Sequence, residues 1–355
     1  MPAATRGGRL CATRFRLLRG LCIDLKPVTL LVGEPVGKTS LLEALAVIGY
    51  GVKHVYEAGR EYTDPASVGS LPRFIRLTRC GALAAGAEAW LEADGKRIGA
   101  RLACRGDGGA VIEYLEAEDG SGKERVHATI STSTSGGETR SRRLAAGAAE
   151  AYLAPRFYSY DLLAHENLAK GRTSRQEPRS YLAEDAANMG PLLAANPSLL
   201  VELNDTVAAL TGAEVRVLSD SRVSVFAGYV EVGAAEASTT VLRLAYYYTA
   251  LRAQGPPNAT PVLGLDDPEA HMDVAAVEEI ARLIAEASKR AYLLVATHSP
   301  LLVASLAREA GERLTVVHLS RGRGGAATPV AATIPVEEVT GLEEAARAMK
   351  RGPRA

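Results

Sequence analysis

The segment from Val28 to Tyr50 constrains the fold of this chain more than any other. Val28–Val32 is a continuous run of β-branched residues and leucine, which is typical of a buried strand. Gly33–Lys38 is a turn bounded by glycines, and Thr39–Tyr50 is apolar on nearly all sides, as expected of a buried helix. A strand, a glycine turn and a buried helix in this order form a unit that binds phosphate groups at the helix N-terminus.

The turn Gly33-Glu-Pro-Val-Gly-Lys-Thr-Ser40 resembles a Walker A loop. In such a loop, backbone N–H groups surround the phosphates, the lysine contacts the β- and γ-phosphates, and the hydroxyl residue binds Mg²⁺. Lys38 and Thr39 occupy these two positions. Three residues separate the two glycines where the standard pattern has four, and Pro35 has no N–H group to offer. The alternative is a tight strand-to-helix turn that binds nothing.

A second segment, Pro261–Leu265, is an apolar strand that ends in two acidic residues, Asp266 and Asp267. A Walker B strand has this arrangement, because its terminal carboxylate must face Mg²⁺ at the carboxyl edge of the sheet. We expect Asp266 to hold Mg²⁺ and Asp267 to act as the general base that polarises the attacking water. The alternative is a capped turn before the helix at Val274, which explains the acidic residues but not their place at a strand end.

A third segment begins with the buried strand Tyr292–Ala296 and continues through His298 into a predicted helix. Ser299 is a good N-cap residue, and Pro300 suits the first helical position. A histidine at the tip of such a strand can sense a γ-phosphate. A capping or core role is the alternative for His298, but its position after the other two segments favours phosphate sensing.

Together the three segments resemble the ABC-type P-loop ATPases of the SMC, RecF and OLD group, in a compact form without a long coiled coil. The resemblance covers about residues 9–60 and 230–335, and its motifs are Leu30–Leu45, Leu265–His271 and Ala296–Leu301. It implies an α/β P-loop NTPase fold, with an ABC-type head built on a mixed or parallel sheet. An antiparallel β region and a helical insertion accompany this head.

The resemblance also implies ligands and site residues. ATP and Mg²⁺ would be the cofactors, with Thr39 and Asp266 as the metal ligands. Asp267 and His298 would be the catalytic residues. The residues that would bind the nucleotide belong to the P-loop: Gly33, Gly37, Lys38, Thr39 and Ser40.

Members of this group dimerise head to tail around two ATP molecules, so the resemblance implies a homodimer that forms on ATP binding. Each partner offers a serine-containing segment at a helix N-terminus to the γ-phosphate held by the other. Ser238 would be the corresponding nucleotide-binding residue here, because it precedes the predicted helix Thr239–Ala253 and can present its positive end to phosphate. The glycine expected in this segment is missing, and an ordinary capped helix is the alternative.

Two departures from the family pattern bear on activity. Asp267 stands where the family has glutamate, and its shorter side chain affects proton transfer, which depends on placement. Neither Gln176 nor Gln254, the only two glutamines, lies clearly at a strand end as a Q-loop glutamine would. The sequence therefore favours a slowly hydrolysing ATPase that acts as a switch in DNA maintenance or in defence against foreign DNA. The alternative is a non-hydrolysing, ATPase-like interaction subunit with a degenerate P-loop.

The remaining segments indicate how the chain is organised. From about residue 70 to 134, short apolar or alternating segments are separated by turns such as Asp94-Gly95, which indicates an antiparallel meander. We expect short strands at Arg14–Leu18 and Leu21–Leu25, and an exposed loop at Ser131–Gly147. The prediction is an ATPase core split between residues 1–60 and 230–335, an inserted β and helical lobe at 61–229, and a helical tail at 336–355.

Charge narrows the choice of partners. The 41 basic and 41 acidic residues give a formal net charge of zero, which argues against a basic coat for constitutive nucleic-acid binding. Residues 1–20 nevertheless carry five arginines and no acid, and residues 137–180 carry eight basic against five acidic residues. DNA or a second protein subunit therefore stays open as a partner, with a solvated face as the alternative.

Other compositional features point to a cytoplasmic protein. No run of about 18 apolar residues is present, and the N-terminal segment has no apolar h-region, so neither a membrane span nor a membrane partner is expected. The four cysteines form no C-x-x-C pair or zinc pattern, which favours scattered core thiols. No aspartate follows Asp273, so the nuclease module of OLD-type proteins is not expected. The scarcity of Gln and Asn hints at a thermophilic source.

Overall fold

The computed structural model describes residues 7–57, 87–104, 110–118, 125–132, 139–143, 152–170, 180–232, 237–256, 258–322 and 329–351. Its strands are β1 (Gly8–Thr13), β2 (Leu21–Leu25), β3 (Val28–Gly33), β4 (Ala87–Ala93), β5 (Lys96–Cys104), β6 (Ala110–Glu118), β7 (Arg125–Thr132), β8 (Thr139–Arg143), β9 (Tyr152–Tyr158), β10 (Ala213–Val217), β11 (Val223–Ala227), β12 (Val230–Val232), β13 (Ala259–Asp266), β14 (Tyr292–Ala296), β15 (Leu314–Arg321) and β16 (Pro329–Ile334). Its α-helices are α1 (Lys38–Val52), α2 (His165–Ala169), α3 (Met189–Ala195), α4 (Pro197–Thr211), α5 (Thr239–Arg252), α6 (Val274–Ala287), α7 (Pro300–Ala310) and α8 (Leu342–Arg351).

A six-stranded sheet forms the centre of the fold, in the order β16-β15-β3-β14-β13-β9. Every pairing in it is parallel except that between β15 and β16. Strand β14 lies between β3 and β13, so the carboxyl ends of these three strands meet at one edge. Ligands of open α/β sheets bind outside this edge, and the predicted site residues lie there.

A seven-stranded antiparallel sheet packs against one face of α1, in the order β2-β1-β4-β5-β6-β7-β8. One apolar core joins Leu41 and Leu45 of α1 to Leu10 and Leu91 of this sheet and to Leu294 of the central sheet. Helix α1 is therefore buried on both sides, which explains why its sequence is apolar nearly all round. The structure confirms the predicted α/β fold with an additional antiparallel β region.

A second core covers the opposite face of the central sheet. It joins Val28 and Leu30 of β3 to buried residues of the later helices, among them Leu244 in α5, Ile280 in α6 and Leu306 in α7. The small antiparallel sheet β10-β11-β12 contributes Val215 and Val225 to the same core. The central sheet is thus covered on both faces, as its continuous apolar strands require.

Two local predictions were wrong. Arg14–Leu18 is a turn rather than a strand, because Arg14 and Arg16 have φ values of 55° and 52°. The strand that pairs with Leu21–Leu25 is β1, which starts six residues before Arg14. The predicted loop Ser131–Gly147 contains β8, which pairs with β7. A loop-like composition did not prevent strand formation there, since sheet context overrides local propensity.

The proposed domain boundaries stay a prediction, although one strand bears on them. Strand β9 lies in the segment assigned to the insertion, yet it pairs in parallel with β13 in the central sheet. Residues 61–86 and 144–151, which the prediction also placed in the insertion, lie outside the described residues. Helix α8 falls within the predicted helical tail.

The cysteine prediction was wrong for two of the four residues. Cys11 of β1 and Cys22 of β2 face each other in the strand register and form a disulfide. Their pairing follows from the hairpin geometry, which brings their Cα atoms to 4.1 Å. Among the described residues, no helix is long and apolar enough to cross a membrane.

Candidate nucleotide-binding site

Three strand ends bring the predicted motifs together. Strand β3 ends at Gly33, β13 ends at Asp266, and β14 ends at Ala296, all at one edge of the sheet. The hydroxyl group of Thr39, in the first turn of α1, donates a hydrogen bond of 3.3 Å to Oδ1 of Asp266. Two segments that are far apart in sequence therefore form one polar cluster.

The P-loop turn is closed by its own backbone. Gly33 and Gly37 have φ values of 98° and 82°, which favour glycine. The N–H of Glu34 donates to the carbonyl oxygen of Leu319, and the N–H of Val36 donates to that of Glu34, at 3.0 and 2.7 Å. The shortened loop therefore has fewer free N–H groups than the standard pattern. Helix α1 begins after Gly37 without a side-chain cap, so its first N–H groups face the site.

Lys38 is bound to the loop that precedes it. Its ammonium group donates to the carbonyl oxygens of Gly33 and Glu34, at 3.0 and 2.9 Å, and the residue is only 4% exposed. Burial lowers the pKa of Lys38, while the nearby carboxylates of Asp267 and Asp266 act in the opposite direction. The cation thus lies in the same electrostatic environment as the two acidic residues.

Asp266 and Asp267 are both partly buried. Burial raises the pKa of Asp266 to about 6, and the charge of Asp267 adds to this, while the hydrogen bond from Thr39 lowers it. Asp267 has a φ of 42°, and its N–H donates to the carbonyl oxygen of Ala296 at 3.0 Å. This bond holds a strained turn directly after the strand.

The carboxylate of Asp267 is incompletely satisfied. Its Oδ1 is buried without a hydrogen-bond partner among the described residues. Burial raises the pKa of Asp267, and His298 and Lys38 oppose that rise. A buried carboxylate beside a histidine and a lysine suits a group that takes a proton during a reaction.

The remaining residues singled out in the sequence are His298, Ser299, Ser40 and Ser238. His298 is exposed between β14 and α7, and Ser299 caps α7 by accepting from the N–H of Leu302 at 3.2 Å, as predicted. Ser40 is buried in the first turn of α1. Ser238 lies exposed at the N-cap position of α5, but its side chain makes no capping bond, contrary to expectation. No hydrogen bond in the described part of the chain joins Ser238 to the P-loop.

Comparisons with known proteins bear on the family and the fold of the chain. Residues 155–304 match the model of a family described as "AAA domain, putative AbiEii toxin, Type IV TA system". No curated protein matches the chain. Among solved structures, the chain is similar to the Smc head bound to the C-winged helix domain of ScpA, with a TM-score of 0.51 and 15% identity over 93% of this chain and 97% of that one. The fold is that of an SMC-type ATPase head.

Two further SMC-type heads are similar at lower scores. The SMC head domain from Thermotoga maritima has a TM-score of 0.41 and 14% identity, covering 93% of this chain and 99% of that one. The Pyrococcus furiosus Smc head with an extended coiled coil, bound to the C-terminal domain of ScpA, has a TM-score of 0.47 and 12% identity, covering 96% of this chain and 98% of that one. The fold assignment depends on the first structure. Together with the matched family model, it confirms the resemblance to ABC-type P-loop ATPases of the SMC-like group.

Sequence reasoning did not single out three side chains that the SMC-type head places beside the acidic pair. Glu269 is 7% exposed and accepts a hydrogen bond from Thr297. Arg243 is fully buried in α5 and pairs with Asp161. Its charge opposes the rise that burial causes in the pKa of Asp267. The hydroxyl of Tyr247 donates to the carbonyl oxygen of Asp266 at 2.9 Å.

Different signals in the sequence bear on these three residues. Glu269 follows the acidic pair closely in the sequence, so its position was a usable signal. Arg243 and Tyr247 lie in a helix whose orientation the sequence does not specify.

The residues present fit Mg²⁺ and a nucleotide. Thr39 and Asp266 supply two oxygen ligands of the type that Mg²⁺ prefers, and they already lie within hydrogen-bonding distance of each other. The uncapped N-terminus of α1 and the ammonium of Lys38 suit phosphate groups. The unpartnered oxygen of Asp267 leaves an acceptor for a water molecule.

Proposed function

We propose that the chain binds ATP with Mg²⁺, hydrolyses it slowly and dimerises around the bound nucleotide. The observation that carries this proposal is the hydrogen bond between Thr39 and Asp266, beside Lys38 and the unpartnered carboxylate of Asp267. In this arrangement a phosphate-binding turn and a metal-binding strand end lie at one point of the sheet edge. An ordinary capped turn does not require that proximity.

Each residue of the cluster has a distinct part in the proposed reaction. Lys38 and the first N–H groups of α1 bind the phosphates, and Thr39 and Asp266 hold Mg²⁺, which neutralises phosphate charge when bound. Asp267 accepts a proton from the attacking water, because its Oδ1 is a buried acceptor without a hydrogen-bond partner among the described residues. His298 contacts the terminal phosphate from its place just after β14, at the same edge of the sheet.

Slow turnover follows from two features of the chain. Asp267 reaches one methylene less far than the glutamate usual in the family, so the water it orients lies farther from the ideal position. Its φ of 42° fixes the backbone, which limits compensation by a shift of the turn. These features favour a switch with a long-lived ATP state over a rapid enzyme.

Dimerisation is proposed from the exposed N-terminus of α5. Ser238 is exposed, and among the described residues its hydroxyl makes no capping bond, so it suits contact with phosphate held by a second subunit. A role in DNA maintenance or in defence against foreign DNA is consistent with the SMC-type fold. The matched family model, whose description includes a putative AbiEii toxin, favours the defence role. DNA or another protein subunit would be the further partner.

A second candidate function is a non-hydrolysing interaction subunit. The specific observation in its favour is the hydrogen bonding of the P-loop backbone. The N–H groups of Glu34 and Val36 donate to carbonyl oxygens of the protein, and Pro35 has no N–H group. Such a loop offers phosphate fewer donors than a standard one. In this case the protein would keep the fold and act by binding a partner.

Sedimentation velocity and phosphate release, measured on the same samples, test the proposal. With Mg²⁺ and ATP, we expect the wild-type chain to form a dimer and release phosphate slowly, and Asp267→Asn to keep the dimer but lose most turnover. Ser238→Arg should prevent the dimer without weakening nucleotide binding by the monomer. A wild-type chain that neither dimerises nor releases phosphate in the presence of Mg²⁺ and ATP would support the interaction subunit.

A further inference from the structure

Glu269 is a buried acidic residue that has no part in the reaction proposed above. It lies in the turn after β13, and its Oε2 is buried without a hydrogen-bond partner among the described residues. Burial raises the pKa of Glu269 to about 7, and Asp267 contributes in the same direction. Keeping a carboxyl group in such a place is costly, and a neutral side chain would avoid the cost.

The other carboxyl oxygen of Glu269 connects two strand ends. Oε1 accepts a hydrogen bond from the hydroxyl of Thr297, which directly follows β14 and is fully buried. The same hydroxyl oxygen accepts from the N–H of Ser299 at 3.0 Å. Because the single hydroxyl proton points to Glu269, the lone pairs of Thr297 are directed at Ser299. The turn that contains His298 is thus fixed from both sides.

The same turn borders a pocket beside the acidic pair. This pocket has a volume of about 580 Å³, and its polar lining includes Asp267, Glu269, His298 and Ser299. His298 lies close enough to oppose the rise that burial causes in the pKa of Asp267. The backbone of Thr297 is held in turn by β3, since its N–H donates to the carbonyl oxygen of Leu31 at 3.1 Å. The side chain of His298 is exposed, whereas the backbone next to it is fixed.

We propose that Glu269 is a positioning residue that acts through Thr297 to fix the turn carrying His298, so that the imidazole faces Asp267 across this pocket. The inference rests on the proposed hydrolysis as far as turnover is concerned. The three sequence motifs assign no role to Glu269 or to its hydrogen bond with Thr297. The hydrogen bond between Thr297 and Glu269 links the turn after β13, which holds the acidic pair, to the turn after β14, which holds His298.

Paired variants separate this role from a structural one. Glu269→Leu and Thr297→Val each remove the hydrogen bond at similar volume, while Glu269→Gln and Thr297→Ser keep an acceptor or a hydroxyl. We expect the first two to lower kcat at least about tenfold with ATP affinity nearly unchanged, and the latter two to retain most of the rate. The double variant Glu269→Leu/Thr297→Val should lose no more than either single variant, because both remove one bond.

Two further measurements make the test decisive. In a His298→Ala background, Glu269→Leu should cause no additional loss of kcat if it acts through the histidine, whereas an independent loss would overturn the proposal. The control is Asp273→Asn, which changes the N-cap of α6 on the same pocket, where Oδ1 accepts from Ala276 at 2.9 Å. It should lower stability slightly and leave kcat unchanged.

An NMR measurement keeps the test independent of hydrolysis. The imidazole resonance of His298, assigned by its loss in His298→Ala, should shift in Glu269→Leu and Thr297→Val but not in Asp273→Asn. If the wild-type chain has no turnover but the resonance shifts, the proposed hydrolysis fails and the positioning role stands. If neither the resonance nor kcat responds to Glu269→Leu, the positioning role is refuted.

Discussion

The hydroxyl of Thr39 lies 3.3 Å from Oδ1 of Asp266, although 227 positions separate the two residues in the sequence. The bond joins the first turn of the P-loop helix to the end of the acidic strand. It exists because β3 and β13 both border β14 and end at the same edge of the sheet. The site is therefore a product of the parallel strand order, and each part of it can be tested separately.

Gly33→Ala should destabilise the P-loop more than an equivalent change elsewhere. A Cβ at this position would collide with the carbonyl oxygen of Leu319 and come within 2.8 Å of Nε2 of His318. Gly95→Ala is the matched control, because Gly95 also has a positive φ, of 72°, but open space around it. We expect about 1 kcal/mol of lost unfolding free energy for the control and at least about twice that for Gly33→Ala, measured by urea denaturation. Equal losses would contradict the close approach.

Reduction of the Cys11–Cys22 disulfide should lower the stability of the chain. The bond closes a short loop, with a sequence separation of 11, so its removal releases about 3 kcal/mol of chain entropy to the unfolded state. Thermal unfolding with and without a reductant measures this difference. The variant Cys22→Ser should unfold at the lower temperature in both conditions. A reductant effect that persists in this variant would exclude the disulfide as its source.

Stability should depend on pH through Glu43, a buried residue of α1 paired with Arg16 at 2.9 Å. Burial raises the pKa of Glu43 to about 7, so the folded chain binds a proton that the unfolded chain has released. The unfolding free energy should therefore fall as pH rises from about 4.5 to 7 and then level off. Glu43→Gln should flatten this part of the curve, measured by urea unfolding at pH 5 and pH 8. An unchanged slope would show that Glu43 does not titrate in this window.

Asp267→Glu should raise the rate of ATP hydrolysis. The added methylene extends the carboxylate toward the position that the family's glutamate occupies, so proton transfer from water becomes easier. Steady-state phosphate release should increase several-fold, while the affinity for ATP stays nearly constant. The comparison variant is Asp267→Asn, which keeps the size but cannot accept the proton. A rate that falls in both variants would mean that the native placement of Asp267 is already optimal.

Much of this fold was predictable from the sequence, because the decisive signals are local. The run Val28–Val32 and the glycine turn after it predict β3 and the start of α1 to within one residue. The acidic pair at Asp266 and the Thr297–Pro300 segment predict the other two strand ends in the same way. Since parallel strands align their carboxyl ends, the gathering of the motifs followed from fold class alone.

What the sequence did not predict depends on register and orientation. The pairing of Cys11 with Cys22 requires the β1–β2 register, and the misplacement of the first strand at Arg14–Leu18 concealed it. The contact between Lys38 and the loop carbonyls depends on how the shortened turn closes. Glu269 was visible beside the acidic pair, but its link to Thr297 depends on the β13–β14 pairing.

Calorimetric titration of the wild-type chain and of Lys38→Ala with Mg²⁺ and ATP tests whether the chain binds a nucleotide through its P-loop. We expect the wild-type chain to bind the nucleotide and the variant to bind it at least about tenfold more weakly, because a charged hydrogen-bond donor is lost. Thermal unfolding of both proteins confirms that the variant is folded. A wild-type chain that produces no binding heat and gains no thermal stability would contradict nucleotide binding by this site. A variant that binds ATP equally well would contradict the role of Lys38.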